Sequence, residues 1–354
     1  MKMFVAGMMV LAFFSFAVCA TAQGYSGYQC PLPSYARSCT YFEFPPPDAA
    51  GLPPDPPVGT LCCNQGGVPD FLECRAPRLG CLVPNTAREI CLTCQTGKAG
   101  HPIDLASGNT YIIQQDVSIP GLGGGLQLTR TWNSLFPAMQ NTYATMFGTN
   151  WRSNYEERLI FNSPDMFLKY ARGDGSVWSF GAVSLSPNTY KVAAPANDTT
   201  TTIVNGSPNI TLTSKSGEKR LFSHATGALV AMIDRNGNST QLSYDGQNRL
   251  ITITDPASRH LNFNYTGNST LVSSVTSDAG ITYSYSYDNQ GRLIKVTKPD
   301  NTTITFQYDA NSNITAVLDT QGKVLESHTY DALGRGLTSS RANGVDGVTV
   351  TYPQ

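Results

Sequence analysis

The residues best suited to chemistry in this chain are its cysteines. All nine lie within the first 94 of 354 residues. Cys19 falls in an apolar leader. The other eight are Cys30, Cys39, Cys62, Cys63, Cys74, Cys81, Cys91 and Cys94. An even number in a segment that reads as exported points to disulfides. Four bridges allow about 105 connectivities, so the sequence assigns none. Cys91-Leu-Thr-Cys94 also has the spacing of half a zinc site or of a redox pair. A zinc site needs reduced thiolates and a second pair, or histidines at set spacing. The nearest histidine, His101, has no partner in the sequence. Disulfides are therefore expected, and no metal.

Other reactive patterns do not assemble. The four histidines, His101, His224, His260 and His328, form no metal-binding spacing. His260 and His328 sit in the closing strands of different repeats and read as surface strand residues. Gly121-Leu-Gly-Gly-Gly125 lacks the lysine and the strand-to-helix context of a phosphate loop, and reads as a turn. Asp234-Arg-Asn-Gly-Asn238 lacks the closing glutamate of a calcium loop. Arg172-Gly173-Asp174 reads as a hairpin tip rather than an integrin motif, because Asp-Gly between strands is a turn signal. No catalytic residue and no cofactor are assigned, and the expected function is non-enzymatic.

These residues must be held by a framework that composition describes. Charged residues are 14% and the formal net charge is -1, which argues against a nucleic-acid partner, since that needs a basic face. Low charge with 32 Gly, 22 Pro and 17 Tyr reads as extracellular and mainly β. Residues 1–22 read as a secretory signal peptide. Lys2 precedes an apolar run from Phe4 to Val18, and Ala20-Thr21-Ala22 offers a small-x-small cleavage site, so maturation is expected before Gln23. Lipidation at Cys19 is a minor alternative, because Val18 makes a poor lipobox. After signal cleavage no transmembrane span is expected.

Residues 23–96 form a Cys- and Pro-rich segment, loop-rich and stapled by disulfides; EFPPPDAAGLPPDPP between Cys39 and Cys62 cannot build a ladder or a helix. From residue 98 to 221, short apolar-polar runs alternate with turn residues, and a β-rich domain is expected. From 222 to 354 the chain repeats itself. Tyr-Asp pairs occur at Tyr244-Asp245, Tyr287-Asp288, Tyr308-Asp309 and Tyr330-Asp331; Tyr265 is a degenerate copy and Tyr352 opens another. Six units of 21 or 22 residues thus tile Phe222 to Tyr352.

Each unit reads as one β-hairpin. A turn after Tyr-Asp ends in Asn248-Arg249-Leu250 or Gly291-Arg292-Leu293, and a short strand follows. A second turn and a strand with period-two alternation close the unit, as in Ile304, Phe306 and Tyr308. The fold class is therefore mainly β: an antiparallel strip of hairpin repeats, with the β-rich domain and the disulfide-rich segment before it. The repeated tyrosines are expected to pack from strand to strand and keep their hydroxyls in water. An open strip has an unpaired terminal edge, expected to be covered by residues 101–221 or by another copy, hence edge-to-edge self-association.

The Tyr287-Asp288…Gly291-Arg292-Leu293 pattern and its equivalents resemble the YD repeats of Rhs proteins, wall-associated proteins and teneurins. Upstream, HPIDLASGNTY (101–111), DVSIPGLGGGLQLTRTWNS (116–134) and GTNWRSNYEERL (148–159) resemble the domain preceding the repeats in bacterial Rhs proteins. Arg130-Thr131-Trp132-Asn133-Ser134 and Trp151…Tyr155-Glu156 carry most of that second likeness. The resemblance implies a β-strip able to spiral into a shell, which in long members encloses a C-terminal toxin. Six units are few for a cage, and no Asp-Pro-x-Gly-Leu boundary follows them. The expected function is an exported scaffold at the cell surface or outside, a shortened relative of such shells. The alternative is a carbohydrate- or cell-wall-binding module using strip tyrosines, with a carbohydrate or a cell-surface protein as partner.

Overall fold

The structure, a computed structural model, describes residues 98–136, 145–161, 167–185, 188–194 and 200–352, together with the backbone at 39–40, 61–62 and 81–82. The signal-peptide assignment and the side chains of all eight disulfide candidates lie outside the described residues. Three two-residue strands, β1 (Cys39–Thr40), β2 (Leu61–Cys62) and β3 (Cys81–Leu82), pair in the order β1-β3-β2. A further pair joins β4 (Lys98–Ala99) to β5 (Ile103–Asp104).

Two larger sheets make the body. The smaller contains β6 (Tyr111–Ile119), β7 (Leu126–Asn133) and β8 (Trp151–Ser153), antiparallel in that order. The larger runs through 19 antiparallel strands joined in sequence order. Its first part is β9 (Arg158–Ile160), β10 (Leu168–Ala171), β11 (Val177–Leu185), β12 (Asn188–Ala194), β13 (Thr202–Val204), β14 (Asn209–Thr213), β15 (Lys219–Ser223) and β16 (Leu229–Ile233). Then come β17 (Ser239–Tyr244), β18 (Leu250–Thr254), β19 (His260–Tyr265), β20 (Val272–Ser277), β21 (Thr282–Tyr287), β22 (Leu293–Thr297) and β23 (Thr303–Tyr308). Last are β24 (Ile314–Leu318), β25 (Val324–Tyr330), β26 (Gly336–Arg341) and β27 (Val348–Thr349). The fold is nearly all β, a long antiparallel hairpin strip, as the alternation and the repeat period imply. The same sheet begins at Arg158, well before the first repeat. No helix among the described residues is long and apolar enough to cross a membrane.

The turns explain why the strip folds back at regular intervals. In each Tyr-Asp turn the carboxylate accepts backbone N–H groups two and four residues ahead. Asp245 Oδ1 takes them from Gln247 and Arg249, and Asp288 Oδ1 from Gln290 and Arg292, all at 2.9 Å. Such Asx contacts compete with strand pairing and so fix a turn. The residue just before the Arg position is left-handed: Asn248, Gly291, Ser312 and Gly334 have φ of 59°, 74°, 66° and 80°. Glycine or asparagine suits that conformation.

The strands between turns are bulged. The register slips by one residue immediately before Tyr244, Tyr265, Tyr287, Tyr308 and Tyr330. Each of these tyrosines pairs with the first residue of the next strand, as in Tyr287↔Leu293 after Ser286↔Lys295, so Ile294 is the extra residue. A bulge of this kind re-aims side chains. It explains a spacing that simple alternation forbids. Leu250 and Ile253, Val272 and Val275, Leu293 and Val296, and Ile314 and Val317 are three apart, yet all are buried.

The large sheet also meets itself. Arg158, in β9, bridges Ala228 at the turn before β16. Leu159 N–H donates to the Gly227 carbonyl at 2.8 Å and Leu229 N–H to the Glu157 carbonyl at 3.3 Å. The chain then continues through the repeats past this seam. At the far end, Gly336 N–H donates to the Gly108 carbonyl at 2.8 Å, and His101 N–H to Ser339 Oγ at 2.9 Å. The segment around β4 and β5 thus lies against β26.

Candidate functional site: the covered inner face

The repeat tyrosines line the inner face, and their hydroxyls are not left in water. Tyr244, Tyr265, Tyr287 and Tyr308 donate to the backbone carbonyls of Leu229, Leu250, Val272 and Leu293 at 2.6, 2.9, 2.9 and 2.7 Å. Tyr330 and Tyr352 donate likewise to Ile314 and Gly336 at 2.8 and 2.6 Å. The acceptor in each case opens a strand of the previous unit, 15 or 16 residues back. This corrects the expectation of wet hydroxyls: the bulge turns each phenol along the sheet rather than outward. Burial accordingly holds the Tyr244, Tyr265, Tyr287, Tyr308 and Tyr330 phenols well above their ordinary ionisation range.

The Asp-Arg half of the motif completes the link. Arg249, Arg292 and Arg335 donate Nε to the carboxylates of Asp245, Asp288 and Asp331 at 2.7, 2.6 and 2.7 Å. The same guanidinium groups lie over the rings of the next tyrosines, Tyr265, Tyr308 and Tyr352, at 4.7, 5.1 and 4.2 Å. Arg292 also reaches the Asp309 carbonyl at 3.1 Å. A unit therefore grips the one before it by a hydroxyl and the one after it by a guanidinium, which is nearest-neighbour coupling along a repeat array. Asp309 is followed at the Arg position by Asn313, whose amide donates to Asp309 Oδ2 at 3.0 Å. Phe222 fills the tyrosine position of the first unit, fully buried and without a hydroxyl.

Aromatic side chains of the small sheet and its flanks meet this inner face. Phe147 stands edge-on to Tyr285, Trp151 to Phe306, Tyr155 to Phe263 and Trp132 to Tyr330, with centroids 4.9, 5.1, 6.5 and 6.3 Å apart. Trp151 Nε1 donates to the Tyr308 hydroxyl at 3.2 Å. Between the layers lies a buried charge pair. Arg130 binds Asp116 through two nitrogens at 2.5 and 2.9 Å, and Tyr285 donates its hydroxyl to the same carboxylate at 2.7 Å. The guanidinium is enclosed by the rings of Trp151, Tyr285 and Phe147 at 4.8, 5.3 and 5.5 Å. Burial opposes its charge, but Asp116 outweighs burial and holds Arg130 above its usual value.

Beside the seam a cleft of about 230 Å³ opens between the two layers. Arg152, Glu156, Glu157, Arg158 and Arg249 line it with Tyr244 and Tyr265. Glu156 accepts N–H groups from Met146 and Ser153 at 2.8 and 2.7 Å. Glu157 accepts the Tyr170 hydroxyl at 2.6 Å and lies 3.3 Å from Arg220 Nε. Burial raises both carboxyls above the ordinary range despite these partners. Burial likewise lowers Arg152 to about 10, against the pull of Glu156 and with help from the charge of Arg158.

Residues 100–180 match the family described as Domain of unknown function (DUF6531), and residues 210–351 match Teneurin YD-shell. The chain belongs to the Rhs/YD-repeat family. A protein named tRNA3(Ser)-specific nuclease WapA, from Bacillus spizizenii, is 31% identical over 145 residues, 41% of this chain and 6% of the relative. A tRNA nuclease WapA from Bacillus subtilis is 30% identical over the same length. This YD-repeat chain thus spans about 6% of the length of those relatives. The crystal structure of TcdB2-TccC3 aligns with 68% of this chain and 12% of that one, at 16% identity and a TM-score of 0.27. TcdB2-TccC3-TEV covers 72% and 16%, at 11% identity and the same TM-score.

Within the YD-repeat fold, the sequence motifs fall as follows. Arg172-Gly-Asp-Gly175 is the β10–β11 hairpin tip, closed by Arg172 N–H to the Ser176 carbonyl at 2.9 Å. Asp234 caps its own turn by accepting from Asn236 and Asn238 at 2.8 Å. Gly121–Gly125 is a turn whose Pro120 carbonyl receives Arg259 at 3.0 Å. His260 is half-buried, with Nδ1 2.8 Å from Asp278. His328 is not a surface residue: it is 2% exposed, because its register puts it on the inner face with Tyr330. Asp116 and the Arg130 pair were missed by sequence reading. The only signal available was a lone arginine in an otherwise apolar-polar strand.

Proposed function

We propose that this chain is an exported, non-enzymatic β-scaffold that acts at the cell surface or outside, as a relative of the shells of longer Rhs proteins. The observation that carries the reading is the inner face. Its aromatic residues and hydroxyls are engaged in holding unit to unit and layer to layer, which is the work of a container wall. Catalysis by the relatives named as nucleases stays with those proteins. Export is supported by the leader at residues 1–22 and by the confinement of cysteine to the first 94 residues. On this reading the partner is a cell-surface protein or a carbohydrate, met by a surface other than the tyrosine rings.

The test is the fate of the expressed chain. Mass spectrometry of culture medium and envelope fractions should find a chain beginning at Gln23, with its remaining eight cysteines unreactive to thiol reagents. A chain retained in the cytosol with residues 1–22 intact and free thiols would overturn the proposal.

A further inference from the structure

We propose that the outer face of strands β18 to β21 binds a neutral carbohydrate chain. The inference rests on the reading of a carbohydrate partner above and gives that partner a surface. Side chains that alternate with the inner-face residues form two rows across these strands. Thr252, Asn262 and Thr276 are successive cross-strand partners, and so are Asn264, Ser274 and Ser284. All six are half-buried or exposed. Neighbouring strands lie about 4.8 Å apart, so each row spans about 10 Å, room for a short run of sugar rings. Bonds within the rows hold both asparagines and leave part of each amide open. The Thr252 hydroxyl donates to Asn262 Oδ1 at 3.1 Å, and Asn264 Nδ2 donates to Ser274 Oγ at 3.2 Å. Among the described residues nothing else takes the Asn262 amide N–H groups or the Asn264 side-chain oxygen.

Charge decides the class of partner. Strands β18, β19, β20 and β21 contain no Asp, Glu, Lys or Arg. The charged groups at their ends are paired there: Arg249 with Asp245, Arg259 with Asp255 and His260 with Asp278. Lys295 lies on β22, opposite Ser286 and beyond the two rows. A phosphate polymer or an acidic peptide therefore finds no cation within the rows. A protein partner needs apolar or aromatic anchors, and the large apolar side chain exposed on these four strands is Ile251, at 36%. Hydroxyl and amide groups donate and accept together, as sugar hydroxyls do, so a neutral polyol matches the rows in hydrogen bonding as well as in charge. Strand pairing fixes the side-chain stems, which lowers the cost of ordering them on binding.

The experiment is affinity electrophoresis of the mature full chain in native gels containing dextran, laminarin or hydroxyethylcellulose, with heparin as the charged comparator. Retardation by at least one neutral polymer and none by heparin is expected. Removing the open amides in the double variant Asn262→Ala with Asn264→Ala should weaken that binding tenfold or more. Unchanged thermal unfolding of the variant would show that the fold is intact. Thr329→Ala, on β25 and six strands away from β19, should leave the affinity as it was. Retardation by none of the neutral polymers would overturn the proposal. So would binding that the double variant leaves unchanged, which would move the carbohydrate to another surface. Concentration-dependent dimers in sedimentation, abolished by the same variant, would make the occupant a second copy and overturn it too. Retention of the chain in the cytosol would sink the export reading without touching this result, and absence of binding would leave export standing.

Discussion

Tyr287 donates its hydroxyl to the backbone carbonyl of Val272, 2.9 Å away and 15 residues earlier. Val272 opens β20 and is fully buried, so its carbonyl is shielded from water. Tyr287→Phe keeps the ring and deletes only the donor. Leaving a buried acceptor unsatisfied costs about 1–3 kcal/mol. A urea midpoint lowered by that amount, with an unchanged slope, is expected. An unchanged midpoint would mean the hydroxyl contact is not made in solution.

The turn carboxylates make stability depend on pH. Burial alone would raise Asp288, but the Arg292 N–H and guanidinium outweigh it and hold it below the ordinary range. Asp245 and Asp331 are lowered in the same way by Arg249 and Arg335. A depressed folded value contributes stability that is present above the unfolded value of about 3.9 and is lost as pH falls through the folded one. Glu156 and Glu157 are raised and act oppositely: they weaken the fold as pH rises above about 4.3. The clean readout is therefore the difference between wild type and Asp288→Asn. That difference should be constant near neutrality and shrink below about pH 4. A difference that grows on acidification contradicts the assignment.

Asp116 and Arg130 form a buried pair with side chains 5% and 1% exposed. Asp116→Ala strands the guanidinium among aromatic rings and should cost about 3–5 kcal/mol. The double variant Asp116→Leu with Arg130→Met removes both charges and should recover most of that loss. Denaturant unfolding of the two proteins checks the order; a double variant as unstable as the single one would show that the charge is not what matters.

Deleting Ile294 removes the bulge residue of β22. The strand can then bury Leu293 or Val296 but not both, and losing one such side chain costs about 2 kcal/mol. Deleting Gln290 instead shortens an exposed turn and serves as the comparison. Calorimetry should show a lower Tm for the first deletion, reported by loss of β-sheet circular dichroism at lower temperature.

Much of this architecture was legible in sequence. The Tyr-Asp period located the hairpins, since each aspartate caps its own turn through contacts only two to four residues long. The closing strands read correctly because Leu261 and Phe263 obey period two. The opening strands did not, because Leu250 and Ile253 are three apart and only a bulge reconciles them. The tyrosine hydroxyls were misread for the same reason: their direction follows from the slip in register, which leaves no mark in composition. The covering of Phe306 by Trp151 spans more than 150 residues of chain, and no local pattern encodes it. His328 was misplaced on the surface because an isolated polar residue in a strand says nothing about which face is enclosed.

The central claim is that residues of the small sheet cover the inner face of the YD strip. A double-mutant cycle between Trp151→Leu and Phe306→Leu tests it most directly, since these rings meet edge-on at 5.1 Å. The account predicts a coupling energy of about 0.5–1.5 kcal/mol, with each single variant destabilised. Additive effects of the two substitutions would contradict it.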